Sequence, residues 1–402
     1  MSHYLPKGLQ RKRLCKHVKK PPQKFNTRSF QDFFEPVQDI LPNLTPLNSR
    51  GNRALQLNFE DHLKALVYFH IEEYTSARHL IQDLKEDDFA RSLIAPPEGI
   101  EKSSFSEANN NRGRDQFIEL FQMLNAKSNK TIPKEYSELG NLVAIDGSLI
   151  QAVLSMHWAD YRKDTNKAKI HLGFDINRSI PNKLHLTDGK SNERPFVSQI
   201  LEAGDTGVLD RGYQCHENFD LWQEEEKHFV CRIKNNTKIT YIKNNDVIQN
   251  SIVFHDSIVL LGTTKKNQTK KPVRLVGYSI GGSNYWVATD RLDLTAEQIA
   301  LIYKLRWDIE NFFAWWKRHM RVYHLIARSE HGLFVQIMSG LITYLLLSIY
   351  CQKKHGEKVS IKRVRELRNR IKNESRQSDE QGKYFESETN NKREKHPLYA
   401  IT

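Results

Sequence analysis

The sequence predicts an α/β protein whose core sheet is preceded by a small helical domain and interrupted by a β-rich insertion. Three observations carry that prediction. From about residue 140 onward, short apolar runs, two of them ending in an acid, alternate with helical stretches. Over residues 234 to 292 a group of β-rich runs with polar turns breaks the alternation. Ahead of both, residues 49 to 128 carry apolar side chains at helical spacing.

Composition bounds the rest. The chain has 402 residues, with 61 Lys and Arg against 48 Asp and Glu, a formal net charge of +13. That length gives room for two or three domains. The cationic surplus points to a polyanionic partner, either nucleic acid or an acidic membrane surface. Four cysteines, at 15, 215, 231 and 351, lack the short spacing of a zinc site and suggest a reducing compartment. The N-terminus has no apolar stretch of the kind that directs secretion.

Residues 1–48 are expected to form a mostly irregular basic arm. The first 28 hold nine Lys or Arg and no acid, and Pro21, Pro22, Pro36, Pro42 and Pro46 break helical patterning. A helical domain follows over 49–135. Leu63, Leu66, Val67 and Tyr74 mark one helix. Ser104-x-x-Glu107 reads as a capping box opening the helix that carries Phe117, Ile118, Leu120, Phe121 and Leu124. Such a bundle either binds DNA or pads the core.

The first part of the core, 136–233, runs NLVAID, KIHLGFDI and NKLHLTD as strands, NERPFVSQILEA as a helix, GVLD as a strand, ENFDLWQEEE as a helix and HFVCRI as a strand. That is the order of an RNase H-like fold, with Asp146 closing the first strand and Asp210 the fourth. The β-rich insertion, 234–292, separates it from the final part, 293–350. There LTAEQIALIYKLRWDIENFFAWWKRHM reads as one helix with Thr295 as its N-cap. Residues 332–351 are uncharged and about long enough to cross a bilayer. Gln336, Ser339, Gly340 and Thr343 within them, and cationic flanks, favour a helix buried in the core instead. A basic tail, 351–402, follows; over 353–396 it has 14 Lys or Arg against 8 acids. In it, IKRVRELRNRIK is expected to form a short basic helix.

The chemistry concentrates on the last core helix. Tyr303, Arg306, Glu310 and Lys317 stand 3, 4 and 7 residues apart, steps that keep all four on one helical face. A surface face scatters charges and a core face excludes them, so an acid flanked by cations suggests a metal ion with a phosphate beside it. Asp146 and Asp210 on neighbouring strand ends, with Glu310 brought across by the helix, would make an open site for Mg²⁺. Two such ions about 3.5–4 Å apart activate the attacking oxygen and stabilise the leaving one in phosphodiester chemistry. Arg306, Lys317 and Tyr303 would grip phosphates. Asp188, Asp205, Asp220 and Asp308 lie near these motifs, and Asp308 is expected to face solvent. His157, His171, His185 and His216 lack zinc-ligand spacing and read as core or surface residues.

The spacing Y-x2-R-x3-E-x6-K resembles the signature around the glutamate of the insertion-sequence-four family of DDE transposases. VAIDGS and GVLDRGY are similar to the family's segments around its two aspartates, and ATDRLDLTAEQIALIYKLRWDIENFFAWWK to its run into the third acid. SARHLIQDL and SSFSEANNNRGRDQF resemble the N-terminal module of some members. The resemblance covers roughly residues 50 to 350. It implies a DNA transposase that cleaves insertion-sequence ends and transfers them by cut and paste. Asp146, Asp210 and Glu310 would be its catalytic metal ligands, and Tyr303, Arg306, Lys317 and Arg211 its DNA contacts. It further implies Mg²⁺, with Mn²⁺ able to substitute, and partners in terminal inverted repeats and target DNA. A homodimer on DNA, no membrane, and a cytoplasmic, nucleoid-associated location also follow. Some members pass through a DNA hairpin and stack an expelled base on an aromatic ring; Trp307, Trp315, Trp316 and Trp286 are candidates. A nuclease of the same fold without strand transfer, or a DNA-binding regulator that has lost its chemistry, would be the competing readings. The intact triad speaks against the second.

Overall fold

The structure, a computed structural model, describes residues 28–47, 55–96 and 99–374. Six helices come first: α1 (Arg28–Gln38), α2 (Phe59–Ile71), α3 (Ala77–Glu86), α4 (Asp88–Ile94), α5 (Lys102–Asn111) and α6 (Arg114–Thr131). Most of the expected basic arm, residues 1–27, lies outside the described residues. Its end departs from expectation, because Arg28–Gln38 is a helix and not an irregular stretch. Phe30, Phe33, Phe34 and Val37 share one face of α1 and are buried. Burying each contributes about 1.5–3 kcal/mol, which together outweighs the backbone N–H missing at Pro36.

The expected capping box is also absent. Ser104 and Glu107 lie inside α5, where Ser104 Oγ donates to Gln56 Oε1 and Glu107 pairs with Arg112 at 2.6 Å. The helix bearing Phe117 starts afresh after Gly113, whose φ of +79° suits glycine and breaks the run between α5 and α6.

The sheet region comprises β1 (Asn141–Ala152), β2 (Asp160–Arg162), β3 (Thr165–Asp175), β4 (Ile180–Asp188), α7 (Pro195–Ile200), β5 (Asp205–Leu209), α8 (His216–Glu224) and β6 (His228–Arg232). It continues with β7 (Ile239–Asn244), β8 (Val253–Leu261), β9 (Val273–Ile280) and β10 (Ser283–Thr289). One sheet holds them all, in the order β4-β3-β1-β5-β6-β10-β9-β8-β7, with β2 also on β3. β1, β5 and β6 run parallel and the remaining neighbours are antiparallel. The β-rich residues 234–292 therefore extend the core sheet through the β10–β6 ladder. A buried fork holds two of those strands together, with Arg274 Nε and Nη2 on the Asp256 carboxylate at 3.0 and 2.8 Å.

Side chains of β1 alternate between two cores, as a strand's period of two requires. Leu142, Ala144 and Ile150 join the larger core, while Val143 and Ile145 join the smaller one with Val197 of α7 and Phe219 of α8. The strand does not close at Asp146. It runs on to Ala152, with Asp146 opposite Leu172 of β3 and Gly147 opposite His171. Gly147 and Ser148 resemble a turn in sequence, but the long β3 partner carries them through. The parallel neighbour β5 stops pairing at Ala144↔Val208, so β1 is open on that side from Asp146 onward.

Three long helices complete the chain: α9 (Ala296–Leu305), α10 (Trp307–His319) and α11 (Glu330–His355), with helical backbone again over 361–374. α9 opens on the expected cap. The Thr295 side chain accepts from the Gln298 N–H, and the Gln298 side chain accepts from the Thr295 N–H. Arg291 ties the link between β10 and α9 to the sheet, donating to Thr206 Oγ1 at 2.7 Å and Leu139 O at 3.1 Å. α11 is, among the described residues, the one helix long and apolar enough to cross a membrane, and its apolar window is buried in the protein. α1, α2, α5, α6 and β4 pack around it. Its polar groups are satisfied inside: Ser339 Oγ lies 3.0 Å from the buried His70 ring, and Gln336 Nε2 donates to His324 O at 2.9 Å. The basic helix expected near 361 docks through Val364, Leu367 and Ile371. Its Arg368 and Lys372 pair with Glu73 and Glu72, both at 2.8 Å.

Candidate active site

The single helix expected over 294–320 is two helices meeting at Arg306. The residue keeps helical dihedrals, φ −54° and ψ −30°, but its N–H reaches back only to Tyr303 O, at 3.2 Å. That tighter turn separates α9 from α10. Tyr303 and Arg306 are buried, at 4% and 8% exposure, and Glu310 is half-buried. The Arg306 guanidinium donates to Glu310 Oε1 at 2.6 Å and lies over the rings of Tyr303 and Trp307 at 5.7 and 5.8 Å. One turn and a half further on, Lys317 Nζ reaches the Leu149 carbonyl of β1 at 3.4 Å, so α10 lies along β1.

Asp146 belongs to the same neighbourhood. Its Oδ1 accepts from the Gly147 N–H at 2.8 Å. Burial pushes its carboxyl up to about 7, with the Glu193 and Asp210 charges adding to the rise. The Gly147 N–H and the Arg306 charge pull the other way without prevailing. Asp210 follows β5 directly and, two residues past the Ala144↔Val208 pair, stands level with Asp146. Its Oδ1 accepts from the Gly212 N–H at 2.7 Å in a tight turn, and Arg211 between them is exposed.

The structure thus brings Asp146, Asp210, Arg306 and Glu310 into electrostatic contact, with Tyr303 and Lys317 at the margins. Among the described residues no three acid, His or Cys side chains are drawn together as a ready-made metal cage. Glu310, held by Arg306, would have to turn to join the two aspartates. The oxygen-only donors and a buried carboxylate without a full countercharge fit a hard divalent cation.

Sequence reasoning missed three residues here. Glu193, ahead of α7, lies against Gly147. Lys169 Nζ stands 3.3 Å from Glu193 Oε1. The Tyr213 hydroxyl, 2% exposed, has no hydrogen-bond partner and sits among Glu193, Asp146 and Asp210, which with burial hold its proton on. Tyr213 was visible in GVLDRGY, but nothing local reveals that residue 193 meets residue 147.

The other acids have structural work. Asp188 Oδ1 accepts from the Lys190 and Ser191 N–H groups, Asp205 from the Glu202 N–H, and Asp220 from those of Lys270 and Lys271. Asp308 does not face solvent as expected. It is half-buried beside Tyr344, and burial raises its carboxyl although Lys358 opposes this. His171 and His185 pack on the Phe196 ring, at 4.0 and 5.2 Å between centroids; His216 bonds the Asn267 carbonyl, and His157 is exposed. Of the tryptophans, Trp316 is fully buried, Trp286 and Trp315 are partly buried, and Trp307 is 55% exposed next to Arg306.

A family model described as the transposase DDE domain matches residues 138–346, from just before β1 into α11. A protein of Geobacillus stearothermophilus named as a transposase for an insertion sequence element is 30% identical over 207 residues, which is 51% of this chain and 55% of that protein. One so named from Synechocystis is 24% identical over 281 residues, covering 67% and 78% of the two chains. A protein of Sinorhizobium fredii named as a transposase is 27% identical over 255 residues, covering 61% and 70%. With the model spanning more than half of its length, and every residue of the site inside that span, this chain belongs to the DDE transposase family, enzymes that act on DNA in transposition.

Proposed function

We propose that the protein cleaves the ends of an insertion sequence and joins the freed 3′-hydroxyls to target DNA, with Asp146, Asp210 and Glu310 holding divalent metal. One observation carries this reading: acids from β1 and α10 flank a single buried guanidinium, with Asp210 level with the first of them. Mg²⁺, or Mn²⁺ in its place, would acidify the attacking water or hydroxyl and stabilise the leaving oxygen.

The chain's own groups bind and orient. Arg306 exchanges Glu310 for a phosphate, to which its planar fork is matched. Glu310 is thereby released toward Asp146. Lys317 leaves the Leu149 carbonyl for a second phosphate, and the neutral Tyr303 phenol donates a hydrogen bond to the same strand. Arg211 contacts the backbone beside Asp210. The exposed Trp307 ring offers a stacking surface for an expelled base. The strand order β4-β3-β1-β5-β6 supports an RNase H-like core. We assign the helical region 49–135, the basic arm 1–48 and the tail 351–402 to DNA contact, in keeping with the net charge of +13. A homodimer on paired inverted repeats, in the cytoplasm beside the nucleoid, completes the reading.

The test supplies the full chain and Mg²⁺ with a fragment carrying the DNA that flanks its coding region, plus a target plasmid. Joined products are expected. Cleavage without joining would make the protein a nuclease, and binding with neither would make it a regulator.

A further inference from the structure

We propose that Glu193 is a fourth carboxylate of the catalytic centre, a direct ligand for a divalent cation beside Asp146; the proposal rests on the function assigned above. The first ground is a space reserved for it. A β-carbon built on Gly147 would lie 2.6 Å from both Cδ and Oε1 of Glu193 and 3.0 Å from Oε2. The residue after Asp146 thus has no side chain, and the Glu193 carboxylate occupies the position one would fill.

The second ground is how firmly the carboxylate is delivered. The loop between β4 and α7 is pinned at three points. Asp188 Oδ1 accepts from the Ser191 N–H at 2.8 Å, Lys169 Nζ donates to Ser191 O at 2.8 Å, and Arg194 Nε donates to Gly212 O at 3.0 Å. The last bond ties the loop to the turn that presents Asp210. A glutamate that merely solvates a surface needs none of this. The Glu193 side chain nevertheless keeps 34% exposure, so a ligand can reach it from solvent.

The third ground is independent of the acids. The Tyr213 hydroxyl is buried to 2% exposure and lies beside the Glu193 carboxylate, outside hydrogen-bond geometry and with no other partner. A buried hydroxyl without a partner is costly, and a water in a cation's coordination shell would satisfy it. The sole cation paired with Glu193 among the described residues is Lys169, at 3.3 Å. That leaves the group of Asp146, Asp210 and Glu193 with more negative charge than its neighbours neutralise.

The experiment measures Mn²⁺ affinity of the full-length, DNA-free protein by electron paramagnetic resonance, for wild type, Glu193→Gln, Asp146→Asn and Lys169→Met. Glu193→Gln keeps the shape and removes the charge. It is expected to weaken Mn²⁺ binding by about tenfold or more, comparable to the loss of a metal-site partner. Lys169→Met, which breaks the ion pair and keeps the carboxylate, is expected to bind as wild type. Equal loss in both variants would make Glu193 a structural brace and overturn the proposal. So would wild-type affinity in Glu193→Gln with loss in Asp146→Asn, and in that case the assigned function stands. Wild-type affinity in both acid variants would overturn the proposal together with the function it rests on.

Discussion

Replacing Arg306 by Gln should make the DNA-free protein bind metal more tightly while it loses grip on DNA. In the structure Glu310 is occupied by Arg306 at 2.6 Å, so it must abandon that partner to join Asp146 and Asp210. A bare pair at such a distance would be worth about 4 kcal/mol at an effective dielectric constant near 20. Glu310, however, is 35% exposed and Arg306 only 10%, so solvent screens one end of the pair. A net value of about 1–2 kcal/mol is the better figure for a charge-assisted bond of this kind. Removing it, together with a cation that repels a metal ion, should raise Mn²⁺ affinity roughly 5- to 30-fold, at 1.4 kcal/mol per factor of ten. Isothermal titration with Mn²⁺ in the absence of DNA reads this directly, and fluorescence anisotropy on a labelled DNA end reads the accompanying loss. Unchanged or weaker metal binding in a variant that still melts cooperatively would refute the idea that Arg306 holds the metal's place until DNA arrives.

Two further outcomes follow from the same site. Asp146 titrates near 7 in the folded protein against an ordinary value of 3.8, so between those limits the folded state keeps a proton that the unfolded chain has released. The sign is then fixed: stability of the metal-free protein falls as pH rises through that window, by up to about 4 kcal/mol. Asp146→Asn should remove this component, read as a smaller drop in melting temperature between about pH 5 and 7.5 than wild type shows; an identical drop would count against it. Trp307→Ala should leave the melting temperature nearly unchanged, since the ring is 55% exposed. End-DNA binding in that variant should weaken by about 1–3 kcal/mol if the ring stacks on a base, whereas wild-type binding would exclude Trp307 from that task.

The sequence was most readable where local rules decide. The Thr295 cap, the buried apolar helix at 332–351 and the acid following GVLD all rest on short-range patterns, and each is where those patterns put it. It misled where tertiary packing overrides propensity. Gly147 and Ser148 look like a turn after Asp146, yet β3 pairs with both, and the glycine is explained by a carboxylate arriving from residue 193. The proline-spotted stretch around Pro36 looked irregular, yet its phenylalanines bury themselves and carry a helix. Helical spacing did group Tyr303, Arg306, Glu310 and Lys317, but it could not show the break at Arg306 or that Arg306 and Glu310 would be paired with each other. Glu193 was out of reach because its meaning lies in a contact 46 residues away in the chain.

The central claim is that three acids from distant segments work as one metal-dependent centre. The most direct measurement is Mn²⁺-dependent cleavage of an end-bearing DNA by the full chain and by Asp146→Asn, Asp210→Asn and Glu310→Gln, with end binding measured in parallel. Each variant should bind the end and fail to cleave it, a loss of about a thousandfold or more for a group acting as a unit. Cleavage near the wild-type rate by any one of the three would contradict the account.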